Sequence, residues 1–268
     1  VETGRRRGDR VRPRGAGLGG WRATPWGRLR YLLVAHTLGA TLRPGRRSSV
    51  LDIGGGDGGD AIPLARQGHE VTIVDSAREL LLRARDGAAA AGVDARVRTV
   101  HADLEELSAD PLPGGIDAGY DLVLCHNVVQ YSADVAATVA TAVRMARRGG
   151  TVSVVAPNPA MDVLAAAVRR ADPDAALDLL DADTVRSRTF GHDMHRVPCE
   201  AVESALREAG CPVTHRFGLR CVTDLIADEE LKHDPAFFAR LLRLETALCD
   251  REEFWHTARF WQLLAVRD

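Results

Sequence analysis

The chain has 268 residues, 46% of them apolar and 27% charged, with a formal net charge of −2. That is too apolar and too evenly charged for a wholly disordered chain, and long enough for one large domain with its own core. No run of 18 apolar residues is present and the N-terminal stretch lacks an apolar signal core, so a cytoplasmic protein without a membrane span is expected.

Charge is unevenly spread. Residues 1–47 carry 12 arginines against Glu2 and Asp9, a net of +10, which leaves −12 on the remainder. A basic arm can bind nucleic acid by counterion release. However, the chain has one lysine, Lys232, against 34 arginines, so arginine is its default cation wherever a positive charge is needed. Residues 1–20 hold six Arg and six Gly without a hydrophobic period and are expected to form a basic, disordered tail. Cys125, Cys199, Cys211, Cys221 and Cys249 are widely spaced and form no Cys-x-x-Cys pair. Reduced, apolar cysteines are expected rather than a disulfide framework.

In chain order, a helix is expected over residues 31–42, then a short buried strand over 50–53 that runs into six residues, 54–59, of which five are glycine. A helix over 60–67 stops at Gly68. A second strand, 70–74, ends at Asp75. A helix over 77–91, a strand over 96–101, a strand over 120–125, a helix over 134–147 and a strand over 151–156 follow. This alternation predicts a parallel, doubly wound sheet whose ligands lie outside the carboxyl ends of the strands. The residues just beyond those ends are 54–59, Asp75, Asp103, His126, Asn127, Pro157 and Asn158. Beyond 158 the rhythm changes: 160–190 reads as a helical cap, 199–209 as a helix, 213–222 as a strand, 227–253 as helical and 257–266 as a last strand. The expected organisation is a tail (1–20), a cofactor-binding core with an N-terminal lid (21–157), a helical cap insertion (158–197) and the C-terminal half of the core with a helical insertion (198–268).

The run Asp52-x-Gly54-x-Gly56-x-Gly58 supplies small residues where a backbone turns tightly against a ligand. Gly54-x-Gly56-x-x-Gly59 also fits a dinucleotide fingerprint, and Asp75 stands 21 residues beyond Gly54. A carboxylate there can accept hydrogen bonds from both hydroxyls of an adenosine ribose. Asp103 follows the third strand, where an adenine edge can bind. The succession VLDIGGGDG, VTIVD, HADLEEL, YDLVLCHNVVQY and RRGGTVSVV over residues 50–156 resembles the class I S-adenosylmethionine-dependent methyltransferases. That resemblance implies a Rossmann-like α/β fold, a doubly wound seven-stranded mostly parallel sheet with helical cap insertions. It implies S-adenosylmethionine as cofactor, its methionine part cradled by Asp52, Gly54, Gly55, Gly56 and Gly58. Asp75 and Ser76 would meet the ribose, and Asp103 with Leu104 the adenine. Two other classes stay open: a NAD(P)-dependent oxidoreductase built on the same glycine loop, and a non-catalytic cofactor-binding regulatory module.

Outside the core, the chain is similar to the bacterial tRNA 5-carboxymethoxyuridine methyltransferases. The similarity is carried by Thr24-Pro-Trp-Gly27-Arg28-Leu29-Arg30, by His126, and by Gly218-Leu-Arg220-Cys-Val-Thr-Asp224-Leu225 with Leu244-Glu245-Thr246 and Ala258-Arg259-Phe260. It implies that Arg30 contacts the cofactor carboxylate and that His126 lines the cofactor. The acidic stretch Asp172, Asp174, Asp178, Asp181 and Asp183 before Arg186 and Arg188 departs from that family and sits poorly with a phosphate-rich tRNA. The acceptor is therefore a small metabolite or a modified tRNA wobble uridine. Oxygen methylation is expected, with a carboxylate favoured: it is ionised at pH 7 and needs no base. Arg220 is the candidate to hold it, and His126 the best-placed base for a phenol, amine or alcohol. His192, His195 and Cys199 have metal-ligand chemistry but no fourth ligand, so no metal is assigned.

Overall fold

The computed structural model describes residues 17–39, 41–42, 45–108, 113–187 and 191–268. In chain order its elements are α1 (Gly17–Ala23), α2 (Pro25–Gly39), β1 (Ser49–Ile53), α3 (Ala61–Arg66), β2 (Glu70–Asp75), α4 (Arg78–Ala90), β3 (Val97–His101) and β4 (Tyr120–His126). Then come α5 (Val135–Met145), β5 (Ala146–Pro157), α6 (Pro159–Leu164), α7 (Pro173–Asp178), β6 (Thr184–Arg186), β7 (Asp193–His195), α8 (Cys199–Glu208), β8 (Val213–Leu219), α9 (Pro235–Leu248), α10 (Glu252–Trp255) and β9 (Phe260–Val266).

Seven strands form one sheet in the order β3-β2-β1-β4-β5-β9-β8. The first five are parallel, and β9 pairs antiparallel with both β5 and β8. The doubly wound, mostly parallel sheet expected from the alternation is what forms. Its strands read as near-continuous apolar runs because both faces are covered. Leu51, Ile53, Val123 and Val154 pack with α5 and α8 on one face. Val50, Ile73, Leu122 and Leu124 pack with α2, α3, α4 and α9 on the other. The strand order reverses between β1 and β4, and a crevice opens at the carboxyl ends there.

Several boundaries differ from the sequence reading. The first long helix starts at Pro25, not near 31: Thr24 Oγ1 accepts from the Gly27 amide at 3.1 Å, and proline occupies the first turn. Within the stretch expected to be a disordered tail, residues 17–20 belong to α1, and residues 1–16 lie outside the described residues. The cap is helical only in part. Asp172 caps α7, whose first turn holds Pro173, and a two-stranded hairpin of β6 and β7 takes the place of helix beyond 183. Arg188 lies outside the described residues. β8 stops at Leu219 because Arg220 adopts φ +63 and turns the chain out of the sheet. The helical insertion expected over 227–253 breaks at Asp234-Pro235, where Asp234 accepts from the Phe237 amide at 2.7 Å and starts α9. Among the described residues no helix is long and apolar enough to cross a membrane.

Candidate functional site

A cleft of about 1050 Å³ lies over the carboxyl ends of β1, β2, β4 and β5. A recess of about 120 Å³ shares Gly54, Asp75, Ser76 and Val128 with it. Val74, Ala102, Leu104 and Leu107 give that recess apolar walls.

The glycine loop shapes one end of the cleft. Gly54, Gly56 and Gly58 take φ +64, +56 and +78, conformations that disfavour a side chain. At Gly55 a Cβ would lie 2.5 Å from the Asp52 carboxylate, so the loop closes over Asp52 only with glycine there. Asp75, at the end of β2, accepts from the Gly56 amide at 2.9 Å and from the Ala77 amide at 2.8 Å, one bond to each oxygen. A further lone pair on each oxygen remains for a ligand. Burial pushes the Asp75 carboxyl above its ordinary value, against the pull of those two amides. Burial pushes Asp52 up much further, with Asp60 adding repulsion. Asp103 and Glu106 exchange bonds of 2.8 and 2.9 Å between side chain and amide, which fixes Leu104 between them at the recess.

The N-terminal helices clamp this loop at three points. Arg22 pairs with Asp57. The Tyr31 ring lies so close to Gly59 that a Cβ there would come within 2.6 Å of it. Arg30, 2% exposed, places Nη1 2.6 Å from both carboxylate oxygens of Asp60. Burial opposes the Arg30 charge, but Asp60 outweighs it and the arginine remains a cation. Its Nε is buried without a hydrogen-bond partner among the described residues.

Asp60 also lies 2.8 Å from His126 Nδ1. Burial works against its charge, yet Arg30 and His126 together pull its carboxyl below the usual range. An ionised Asp60 accepts only, so Nδ1 carries the proton and Nε2 accepts from Ser153 Oγ at 2.8 Å. Ser153 accepts from Gln262 Nε2 at 3.1 Å, and Gln262 Oε1 is 2.7 Å from Thr37 Oγ1. The chain of bonds runs Arg30, Asp60, His126, Ser153, Gln262, Thr37, and so starts and ends on α2. Burial lowers the His126 pKa and keeps the ring neutral near pH 7. Both ring nitrogens of His126 are thus bonded in this arrangement, and neither is open to take a proton from an acceptor.

The opposite wall comes from the loop after β8. Arg220, 5% exposed and at φ +63, donates from Nε to Asp224 Oδ2 at 2.9 Å and from Nη2 to Asp224 Oδ1 at 2.5 Å. Burial lowers its pKa, with Asp224 opposing. The loop is gripped by Glu245 of α9, fully buried, whose carboxylate accepts from the amides of Cys221 (2.5 Å), Val222 (3.1 Å) and Thr223 (2.8 Å) and from the Thr223 hydroxyl. Arg259 bonds Asp162 at 2.6 Å beside it.

The structure thus brings Arg30, Asp52, Gly54, Gly55, Gly56, Asp75, Ser76, His126 and Arg220 to one cleft. Gly58 supports the loop from behind, against Ile62 and Ile73, and Asp103 with Leu104 lines the recess. Trp21, Trp26, Asn127 and Tyr131 also line the cleft. His192 and His195 are not among its lining residues, and no cluster among the described residues could hold a metal ion. Two anchors were missed from sequence. Asp60 reads as an ordinary helix-start acid, and Glu245 as one charge in a helix. Glu245 stands in the Leu244-Glu245-Thr246 segment that carries the family similarity, but the only local cue to its burial is an acid on the inner side of an apolar helical stripe.

Residues 50–150 match the family model described as a methyltransferase domain. The chain is 27% identical over 246 residues to the tRNA 5-carboxymethoxyuridine methyltransferase of Escherichia coli (strain K12), covering 90% of this chain and 89% of that one. It is 34% identical over 183 residues to a ubiquinone biosynthesis O-methyltransferase of Rhizobium leguminosarum bv. trifolii, covering 66% and 64%. Its fold is shared with an S-adenosylmethionine-dependent methyltransferase from Thermotoga maritima (TM-score 0.60, 14% identity, 93% and 94% covered). It is shared also with a magnesium protoporphyrin IX methyltransferase from Synechocystis crystallised with S-adenosylhomocysteine (TM-score 0.57, 14% identity, 91% and 86% covered).

Proposed function

We propose that the chain, a class I S-adenosylmethionine-dependent methyltransferase, methylates a carboxylate oxygen of its acceptor. The observation that carries this reading is the acceptor wall. It presents a buried arginine, Arg220, and the only histidine among the described lining residues, His126, has no free nitrogen. A carboxylate is already ionised at neutral pH, so its methylation needs an orienting cation and no base. A phenol or alcohol would need the base that His126 cannot supply.

The residues of the other end fit the cofactor. The orphaned Nε of Arg30 asks for an anion, and the Nη1 contacts to Asp60 leave the Nε and Nη2 edge of the guanidinium for a carboxylate. Asp52 and the glycines 54, 55, 56 and 58 would cradle the methionine part. The unspent lone pairs of Asp75, with Ser76, would meet the ribose, and the apolar recess at Asp103 and Leu104 the adenine. When bound, S-adenosylmethionine supplies an electrophilic methyl group on a sulfonium. His126 then serves as framework beside it, and Arg220 orients the acceptor and helps exclude water from the wall. The division read from the sequence is carried into this proposal. Residues 21–157 would serve the cofactor, 158–197 cover the cleft and 198–268 carry the acceptor wall, with 1–20 as a tail.

The acceptor is a small carboxylic acid or a carboxylate-bearing wobble uridine of a tRNA. The name of the Escherichia coli relative supports the second, and the acidic stretch on the cap supports the first. The test is transfer of tritiated methyl to a panel of carboxylic acids, phenols and undermodified tRNA, followed by alkali. A methyl ester releases volatile methanol, whereas an aryl ether or methylamine keeps its label. Alkali-stable product would sink the carboxylate reading.

A further inference from the structure

The cleft holds a second group of cations that a contact at Arg220 does not use. Lys232, the one lysine of the chain, lies on the 3₁₀ turn Glu230–His233 and lines the cleft with its side chain 1% exposed. Its Nζ donates to Glu229 Oε1 at 3.0 Å and stands 5.9 Å from the centre of the Trp26 ring. Arg169, from the π-helical turn Ala165–Arg169, pairs with the same oxygen of Glu229. Two cations therefore share one carboxylate of the cleft lining, and Asp228, which does not line the cleft, also acts on Lys232. An ammonium has three donors, and among the described residues only one of them has a hydrogen-bond partner. A charge this buried is costly to leave so thinly paired. On the same side, Glu229 Oε2 is buried with no hydrogen-bond partner among the described residues. Unmet donors and an unmet acceptor together on a cleft wall mark the place of a ligand's polar group.

We propose that this corner is a second subsite, which takes a further acidic group of the acceptor, a carboxylate or a phosphate, while Arg220 holds the carboxylate to be methylated. This rests on the carboxylate reading above. Two cationic donors that share a single carboxylate oxygen favour an oxyanion over a neutral group. A hydroxyl beside that acid, or the proton of a monohydrogen phosphate, meets Glu229 Oε2. Arg169, Glu229, Lys232, Arg220 and Asp224 line the same cleft, and the turn Ala165–Arg169 packs against the turn Thr223–Leu225, so one acceptor can span the two subsites. Arg170 and Arg186 extend the positive field toward the rim.

The test titrates four probes calorimetrically into the full chain saturated with S-adenosylhomocysteine: glutarate against butyrate, and phosphoglycolate against glycolate. At least one dianion is expected to bind about ten-fold more tightly than its monoanion. That ratio is expected to fall toward one in both Lys232→Met and Arg169→Gln, and the tighter dianion identifies the second group. Arg169 is a third exposed, so its variant keeps the test decisive if Lys232→Met does not fold. Equal binding of dianions and monoanions, all lost in Arg220→Gln, overturns the second subsite and leaves the carboxylate reading standing. Binding of none of the four to the S-adenosylhomocysteine complex overturns both.

Discussion

Arg30 of α2 and Asp60 at the head of α3 are buried against each other, one guanidinium nitrogen 2.6 Å from each carboxylate oxygen. Asp60 holds the position that caps α3, yet its side chain makes no cap bond there. The carboxylate is spent instead on Arg30 and His126, so a residue whose local task would be helix initiation serves tertiary structure.

Asp60→Asn leaves the buried Arg30 charge without its counter-ion. Breaking such a pair by removing one partner costs about 3–5 kcal/mol. Urea denaturation at pH 7 is the measurement. A loss under about 1 kcal/mol would mean that Arg30 finds water and that the pair does not hold α2.

The same network sets a pH dependence. Burial lowers the folded-state pKa of His126 below its ordinary 6.5, so the unfolded chain binds that proton more readily. The stability this provides is present above pH 6.5 and is lost as pH falls through the folded value. Between pH 6.5 and 5.5 the loss reaches at most about 1.4 kcal/mol. His69 is lowered by burial as well and has the same sign. The difference in slope between wild type and His126→Asn isolates the His126 part, and equal slopes would show that the ring is not held neutral.

Glu245→Gln replaces a carboxylate that accepts four hydrogen bonds with an amide that presents donors to donors. Hydrogen bonds to a charged group are worth about 1.5–3 kcal/mol each, so a loss of about 2–4 kcal/mol in stability is expected. The loop carrying Arg220 and Asp224 loosens with it. Acceptor KM should rise by about ten-fold or more, with affinity for S-adenosylhomocysteine nearly unchanged. A fall in S-adenosylhomocysteine affinity of the same size would place Glu245 in the general core rather than on the acceptor wall.

Gly59→Ala puts a methyl group within 2.6 Å of the Tyr31 ring. The ring must move, and overpacking of this kind costs about 1–3 kcal/mol. Because Tyr31 follows Arg30 on α2, the affinity for S-adenosylhomocysteine should fall while Gly39→Ala, on the same helix with nothing near the new Cβ and no positive φ, leaves it intact. Retained affinity in Gly59→Ala would separate α2 from cofactor binding.

The parallel half of the sheet was legible because β1, β2 and β4 are short apolar runs, β1 ended by glycine and β2 by an acid, and α3 and α4 stop at Gly68 and Gly92. The rest was less so. α1 forms across Gly17, Gly19 and Gly20, residues that disfavour helix, and is held from outside by the Arg22–Asp57 pair and the edge contact of Trp21 on Tyr31 at 6.0 Å. The start of α2 was written in Thr24-Pro25, but the apolar pattern from Tyr31 onward drew the boundary six residues too late. The β6 and β7 pair is three residues a side, too short to show a period. Arg220 entered through resemblance, and nothing local announced its left-handed backbone. Asp60, Glu245 and the shared Glu229 carboxylate are defined by partners distant in the chain, which no pattern within one segment can reveal.

β9 follows β8 in the chain but lies between β5 and β8 in the sheet. A chain leaving the ribosome therefore exposes β5 and β8 as two open edges until residues 260–266 emerge to join them, and open edges invite pairing with other chains. The five parallel strands can assemble early, whereas Arg220 gains its frame last, after Gln262 has also closed the bonds to Ser153 and Thr37. A polypeptide interrupted before β9 would be half built in a particular way: β5 left as an open edge, β8 without a neighbour, and the loop of Arg220 without the strand that ties it to the sheet.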